Sequence, residues 1–560
     1  MTSSANYEKF RELLRELFMF DRADLDFGIY RIMNAKRGEI ERFLESDLLP
    51  QVKEALASSS PGSDPGAVGA LEAEVFADLY NFFRRYYKEG DFLSLRRYKE
   101  GVYAIPYEGE EVKLYWANHD QYYIKSSENF RDYRFTLDDG RTVHFKLVEA
   151  DTDAGNNKTV AGQERRFILS KRPIEAHGEP GELTVTFEYR TPDEKGVKQN
   201  ALNAQAAEAV MAEAPGDWLH ALSTPRPTEK DPKRTLLQKH LATYTARNTF
   251  DYFIHKHLKT FLERELDFFI KNEVLHLEDV ETGDAAAAGA TRARATRSIG
   301  RKIIAMLAQL EDFQKTLWLK KKFVVETSWC ITVDRIPASL YPDIAANELQ
   351  RERWIELFAV DQIDGADGTP AYSNPLTTEF LQANQGLIVD TSLYEPAFLA
   401  RLLKEVPNLD AQRQGLLVCG DNFQALNLLQ ASLRGSVDVV FIDPPYNTGG
   451  DGFAYKDNYQ HSSWLSMMAD RVALARRLMS PNGSFFASID DNEHSNLSLL
   501  LDQVFGRENC VADIIWQKKY APANDAKWFS DDHDYIVCYA RDKETWRPNK
   551  LPRTEVWLTM

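Results

Sequence analysis

Cysteine is scarce in this chain. Its 560 residues hold four, Cys330, Cys419, Cys510 and Cys538, scattered along the sequence. None sits at a spacing that builds a zinc cluster or a disulfide framework, so each reads as a reduced, buried thiol. Long apolar runs are also missing: no stretch of about 18 apolar residues occurs, which leaves no predicted transmembrane helix. The opening MTSSANYEKF lacks the basic and then apolar regions of a signal peptide. A cytoplasmic chain without a membrane partner is expected. Positive charge is in deficit, with 68 Lys and Arg against 85 Asp and Glu and a net charge of -17. That argues against a protein that coats nucleic acid non-specifically, while leaving room for a local basic groove. No Walker A loop, helicase set or nuclease carboxylate–lysine pattern is found. No metal site is predicted: His255 and His257 stand two apart on an expected helix, where side chains diverge.

Apolar material is ample, at 43% hydrophobic and 12% aromatic. The length suits roughly three or four domains. A helical module is expected over 1–100. In NYEKFRELLRELFMF, Tyr7, Phe10, Leu13, Leu14, Leu17 and Phe18 share one helical face. SSSPGSDPGAVGA, residues 58–70, reads as a flexible linker. The aromatic stripe at 79–87 reads as core. A β-rich module is expected over 101–197. There Tyr133, Phe135 and Leu137 alternate, Asp139-Gly140 turns the chain, and Val143, Phe145 and Leu147 alternate again. A second strand pair flanks GEPGE. The insert DTDAGNNKTVAGQE, 151–164, reads as a mobile loop.

A second helical module is expected over 198–325, with Phe253, Ile254, Leu258, Phe261, Leu262, Leu266 and Phe269 on one face. The tract DAAAAGATRARATRS, 284–298, reads as a low-complexity joint between two helices. A mixed segment over 326–410 leads to the last part, 411–560. Here strands and helices alternate: LLVCG, then NFQALNLLQASL, VDVVFID, SSWLSMMADRVALARRLMS, NGSFFASID and EHSNLSLLLDQVFG. ADIIWQK and DYIVCYAR close it as a pair of strands. The fold class is α/β, and continuous apolar strands between helices predict a doubly wound, mostly parallel sheet.

Ligands of such sheets bind beyond the carboxyl ends of the strands. VVFIDPPYNTGG, 439–450, puts Asp443 at that end. Pro444 and Pro445 fix the backbone and remove two N–H donors, leaving carbonyls as acceptors. Tyr446 adds an aromatic face. An acid, a fixed carbonyl and a ring within four residues suit a planar base that carries an amino group.

DPPYNTG after the strand VDVVFI resembles motif IV of the β-class amino-group DNA methyltransferases. The Asp form is typical of the N6-adenine enzymes, and Asn447-Thr448-Gly449 resembles the modification (Mod) subunits of type III restriction–modification systems and related phage-defence methylases. LLVCGDNFQALNLL, GSFFASIDDNE and DDHDYIVCYARD resemble further segments of the same fold, in the same order. The resemblance implies a site-specific transfer of a methyl group from S-adenosylmethionine to adenine N6 in double-stranded DNA. Asp443 and the Pro444 carbonyl would accept the two amino hydrogens, Pro445 would hold the turn, and Tyr446 would stack on the flipped base. Asp421 and Asn422 would contact the cofactor, although Asp421 serves as readily as a helix N-cap. Asn447, Thr448, Lys518 and Lys519 would face substrate or DNA, although lysines here also suit a solvated face. Asp490-Asp491 reads as a helix cap, and His533 as a packing group.

The glycine-rich Phe-x-Gly-x-Gly loop of that family is not found after any strand. The expectation is therefore a Rossmann-like methyltransferase sheet that is incomplete: a truncated or split enzyme holding the DPPY half. Its partners would be DNA and a restriction subunit or a missing C-terminal fragment. VDVVFID would keep an open apolar edge. Two further readings stand beside this one. The chain could be a catalytically incomplete subunit that acts in DNA binding or assembly, or a methyltransferase for another planar amine, such as cytosine N4, RNA or protein.

Overall fold

The computed structural model describes residues 5–20, 25, 28–59, 65–88, 91–92, 114–124, 132–148, 166–175, 181–192, 194, 196–228, 231–247, 252–275, 283–365, 368–448, 460–520, 530 and 532–550. The insert at 151–164 lies outside them. The chain divides into two units: Met1–Lys320 with Asp421–Met560, and Lys321–Gly420.

The first helix, Ala5–Leu17, buries Tyr7, Phe10, Leu13, Leu14 and Leu17, the face set by the apolar spacing. It joins one core with the helices Pro65–Tyr86, Leu258–Phe269 and Gly283–Leu319. The stripe at 79–87 lies in this core through Leu79, Phe82, Phe83, Tyr86 and Tyr87. Two readings need correction. The expected linker ends early, because Pro65 opens a helix that already includes Gly69 and Ala70. Proline suits a first helical turn, where its missing N–H costs nothing. The tract 284–298 is no joint but part of the 37-residue helix Gly283–Leu319. Alanine favours helix, Ala293 and Ala295 are buried, and the arginines flanking them reach neighbouring helices. Arg292 binds Asp78 through two 2.7 Å hydrogen bonds, and Arg297 binds Asp267 at 2.6 and 2.7 Å.

Asp132–Thr136, Thr142–Val148, Glu182–Arg190 and Arg166–Glu175 form a four-stranded sheet in that order. The hairpin over Asp139-Gly140 is present, with Tyr133 opposite Phe145 and Gly140 at φ +85°, a value that favours glycine. The pair flanking GEPGE is antiparallel. This sheet packs Tyr133, Phe135, Phe145 and Phe187 against Leu241 and Tyr244. Phe253 and Ile254 are in a strand rather than the expected helix. Tyr252–His255 pairs antiparallel with Gln121–Ile124, and helix begins at Leu258. Aromatic and β-branched residues there satisfy a strand as well as a helix face, and the distant partner decides.

The C-terminal part of this unit carries α1 (Asn422–Leu433), β1 (Val437–Ile442), α2 (Gln460–Leu478), β2 (Met479–Ile489), α3 (His494–Phe505), β3 (Cys510–Gln517) and β4 (His533–Ala540). The sheet order is β1-β2-β4-β3. β1 and β2 run parallel across α2, whereas β4 is antiparallel to both β2 and β3. The four described strands are therefore mixed rather than mostly parallel. Among the described residues no helix joins β3 to β4, and an antiparallel step needs none, whereas a parallel step needs a crossover. Phe485, Ala487 and Ile489 face α2 and α3, with Leu497, Leu501, Trp464 and Met468. Burial of each large side chain contributes about 1.5–3 kcal/mol.

LLVCG is not a strand, and Leu417 is 95% exposed. Among the described residues β1 pairs only with β2, so Val439 and Phe441 stay 59% and 61% exposed. Of the cysteines only Cys538 is buried; Cys330 and Cys419 are exposed and Cys510 is half-buried. Cys419 follows from the unpaired segment that carries it. No described helix is long and apolar enough to cross a membrane.

The second unit, Lys321–Gly420, has its own core around Trp354, Phe380, Val389 and Leu402. A two-stranded ribbon, Cys330–Thr332 with Ile388–Asp390, runs antiparallel. Trp354 Nε1 donates to the Ile388 carbonyl at 2.6 Å.

Candidate active site

β1 ends at Ile442, which pairs with Ala487 on β2. Side chains alternate along a strand. Val440 and Ile442 pack toward the helices, so Asp443 follows Phe441 onto the opposite, open face. Ser488 on β2 shares that face, and its hydroxyl donates to Asp443 Oδ1 at 2.5 Å. The carboxylate itself is exposed. Parallel pairing thus sets an acid and a hydroxyl side by side at the carboxyl end of the sheet.

Two prolines follow. The Pro445 carbonyl accepts from the indole Nε1 of Trp464 on α2 at 2.8 Å, and Trp464 is fully buried. Among the described residues none donates to the Pro444 carbonyl. Tyr446 is half-buried against the sheet's core. Burial pushes its phenol above the ordinary range, aided by the carboxylates Asp443, Asp534 and Asp490. The surroundings are rich in acceptors, which suits an amino group.

Asn447 is turned inward and is 3% exposed. Its φ of +61° lies in the left-handed region, which Asn tolerates better than most residues. Its side chain donates to the buried carboxylate of Glu493. Thr448 is exposed. Lys518 on the segment after β3 donates to Asp534 at 2.8 Å, and Lys519 is exposed beside it. The backbone N–H groups of both lysines donate to the Asp532 carbonyl.

Asp421 caps α1, accepting at Oδ1 from the N–H groups of Phe423 and Gln424 at 2.9 and 3.3 Å. Its other oxygen accepts from Arg471 at 3.0 Å, and the same guanidinium donates to Asn422. The Arg471 and Asp421 side chains are 10% and 7% exposed. Both residues expected to hold S-adenosylmethionine are thus turned onto an arginine of α2, and they do not fit that group as they stand.

Asp490 does not cap α3. It accepts from the Asn492 N–H at 3.0 Å, making a local turn, while Asp491 accepts from the Tyr535 hydroxyl at 2.9 Å. Among the described residues no cluster of His, Cys, Asp and Glu could hold a metal ion. Ser488, Trp464 and Glu493 were not singled out from the sequence. Ser488 and Glu493 lie within GSFFASIDDNE; Ser488 occupies the polar alternate position of a strand.

Residues 437–556 match the DNA methylase family. The Mod subunit of the type III restriction–modification enzyme StyLTI of Salmonella typhimurium strain LT2 is 37% identical over 154 residues, covering 22% of this chain and 24% of that protein. The EcoP15I Mod subunit of Escherichia coli is 34% identical over 170 residues, covering 24% and 26%. The type II methyltransferase M.KpnI of Klebsiella pneumoniae is 28% identical over 148 residues, covering 25% and 35%. The chain thus spans about a quarter to a third of the length of these relatives. β1, the Asp443 that follows it and the sheet beside it lie within the segment that matches the DNA methylase family and is similar to type III Mod subunits and type II methyltransferases.

Proposed function

We propose that this chain belongs to a site-specific DNA methyltransferase that modifies adenine N6 within a restriction–modification or phage-defence system. The observation that carries the reading is the set at the end of β1. Asp443 is fixed by Ser488, the Pro444 carbonyl has no described donor, and Tyr446 lies beside them.

An exocyclic amino group is a weak nucleophile because its lone pair is delocalised into the ring. Two acceptors on its hydrogens, the Asp443 carboxylate and the Pro444 carbonyl, concentrate the pair on nitrogen and orient it away from the protein. Tyr446 offers the flipped base a stacking plate. The proton that leaves the nitrogen passes toward the carboxylate side. This is positioning and electrostatics, with no covalent enzyme intermediate. The methyl comes from a donor, S-adenosylmethionine by resemblance to the family. Asp421 and Asn422, tied to Arg471, are not its holders in this arrangement, and no step is assigned to them.

The mixed sheet, with its parallel β1–α2–β2 unit, supports a Rossmann-like methyltransferase sheet. The relatives named above support double-stranded DNA as substrate, a restriction subunit as partner and a cytoplasmic setting. Lys518 and Lys519 flank the site as candidate phosphate contacts. DNA from cells expressing the protein, digested with methylation-sensitive nucleases and analysed for N6-methyladenine by mass spectrometry, tests the reading. The expected result is protection with N6-methyladenine. N4-methylcytosine alone would reassign the base, and unmodified DNA would remove the activity.

A further inference from the structure

Glu493 has a fully buried carboxylate, at 0% exposure, on the turn between β2 and α3. A buried carboxylate is costly unless several donors satisfy it. Three side chains converge on this one. Asn447 Nδ2 from the loop after β1 and His461 Nδ1 from the first turn of α2 meet Oε1, the latter at 2.7 Å. Asn496 Nδ2 from the first turn of α3 meets Oε2 at 2.7 Å. Gln460 adds a fourth tie, its Nε2 donating to the Asn447 carbonyl at 2.6 Å.

The consequence lies in the loop. Its upstream end is fixed by the pairing of Ile442 with Ala487, and its downstream end is Asn447, held by Glu493 in a left-handed conformation. Between these anchors stand Asp443, Pro444, Pro445 and Tyr446, with two φ angles locked by proline rings. Two fixed ends and a stiff middle leave the acceptors little freedom.

We propose that Glu493 is a positioning residue that sets Asp443, the Pro444 carbonyl and Tyr446 through Asn447. It touches no substrate and acts through the loop. The proposal deepens the base-holding reading and rests on it for its kinetic consequence, while the anchoring itself is testable without it. A misplacement of about 1 Å at reacting groups costs on the order of 10²-fold in rate.

The test compares wild type, Glu493→Ala, Glu493→Gln, Asn447→Asp, the double variant Glu493→Gln with Asn447→Asp, and Asp443→Ala. Hydrogen–deuterium exchange of a peptide spanning 443–448 is read against peptides from β2 and β4. Glu493→Ala should speed exchange at Tyr446, Asn447 and Thr448 by about tenfold or more while β2 and β4 stay protected. Asp443→Ala should leave that exchange unchanged. In methyl transfer, Asn447→Asp, which sets two carboxylates face to face, should lower kcat by about 10²-fold with KM for DNA nearly unmoved. The double variant exchanges donor and acceptor and should recover at least about tenfold of that loss. Unchanged loop exchange in Glu493→Ala overturns the proposal, as does a double variant no better than Asn447→Asp alone. Should Glu493→Ala not fold, Asn447→Asp and the double variant carry both readouts. Wild type without methyl transfer but with the expected exchange pattern would instead overturn the methyltransferase reading alone.

Discussion

The Ser488 hydroxyl meets the Asp443 carboxylate at 2.5 Å, across the parallel pairing of β1 and β2. The acid therefore lies against a strand neighbour that limits its rotation and keeps one oxygen occupied. The other oxygen is left to meet a ligand.

Removing that acid should remove the chemistry without removing the fold. Asp443 is exposed, so Asp443→Asn leaves no buried group unsatisfied. Methylation in vitro, followed by transfer of labelled methyl groups to DNA, should fall by about 10²–10³-fold. The thermal midpoint should stay within about a degree or two of wild type. Activity within tenfold of wild type would remove Asp443 from its assigned role.

Trp464 holds the same loop from the helix side. Trp464→Phe keeps most of the packing but leaves the Pro445 carbonyl without its indole donor. A loss of about 1–3 kcal/mol is expected, seen as a lower urea midpoint with an unchanged slope. An unaltered midpoint would mean that water replaces the indole at no cost.

Arg471 joins Asp421, Asn422 and the Met467 carbonyl in a nearly dry setting. Arg471→Ala strands a buried carboxylate and should cost about 3–5 kcal/mol. Arg471→Lys should recover little, because one ammonium cannot reproduce the planar fork. Urea unfolding of the two variants side by side checks this, and full recovery by lysine would show that charge alone suffices.

Asp470 gives a pH signature. Burial holds its carboxyl above the ordinary 3.8, while the Lys256 ammonium pulls it back, at 2.8 Å. The folded protein thus binds this proton more tightly than the unfolded chain. Between 3.8 and the raised value, the group's contribution to stability falls as pH rises. Asp470→Asn removes this opposing slope, so stability should rise more steeply with pH across the acid range. Urea midpoints measured across the acid range test the sign, and a shallower rise in the variant would reverse it.

Much of this was legible from residue order. A run of apolar residues that ends on Asp-Pro-Pro-Tyr marks a strand and its carboxyl end. Two alternating runs around Asp139-Gly140 mark a hairpin. The apolar positions of 5–18 and 79–87 mark helix faces. The failures share one cause, a partner remote in sequence. LLVCG has strand composition but no described neighbour. Phe253 and Ile254 become strand because Gln121–Ile124 lies beside them. The alanine-rich tract is helix because Asp78 and Asp267 receive its arginines. At the site, Asp443 and Tyr446 could be chosen from a short motif. Ser488, Trp464 and Glu493 acquire meaning only through strand register and the facing side of α2.

The face of α2 that lies away from β2 touches residues from 214 to 350 positions earlier. Trp116 Nε1 donates to Ser466 Oγ at 2.8 Å, Ser466 donates to the Asn118 carbonyl at 2.6 Å, and Lys256 pairs with Asp470. Kinship and folding therefore have different borders in this chain. The match to the DNA methylase family spans residues 437–556, but an excised 437–556 fragment would bare Ser466, Asp470 and Arg471 and lose Asp421. The strand pair Gln121–Ile124 and Tyr252–His255, with the residues flanking it, is thus a lining that the matched segment wears on its helical side, and protein engineering that swaps the segment must carry the lining with it.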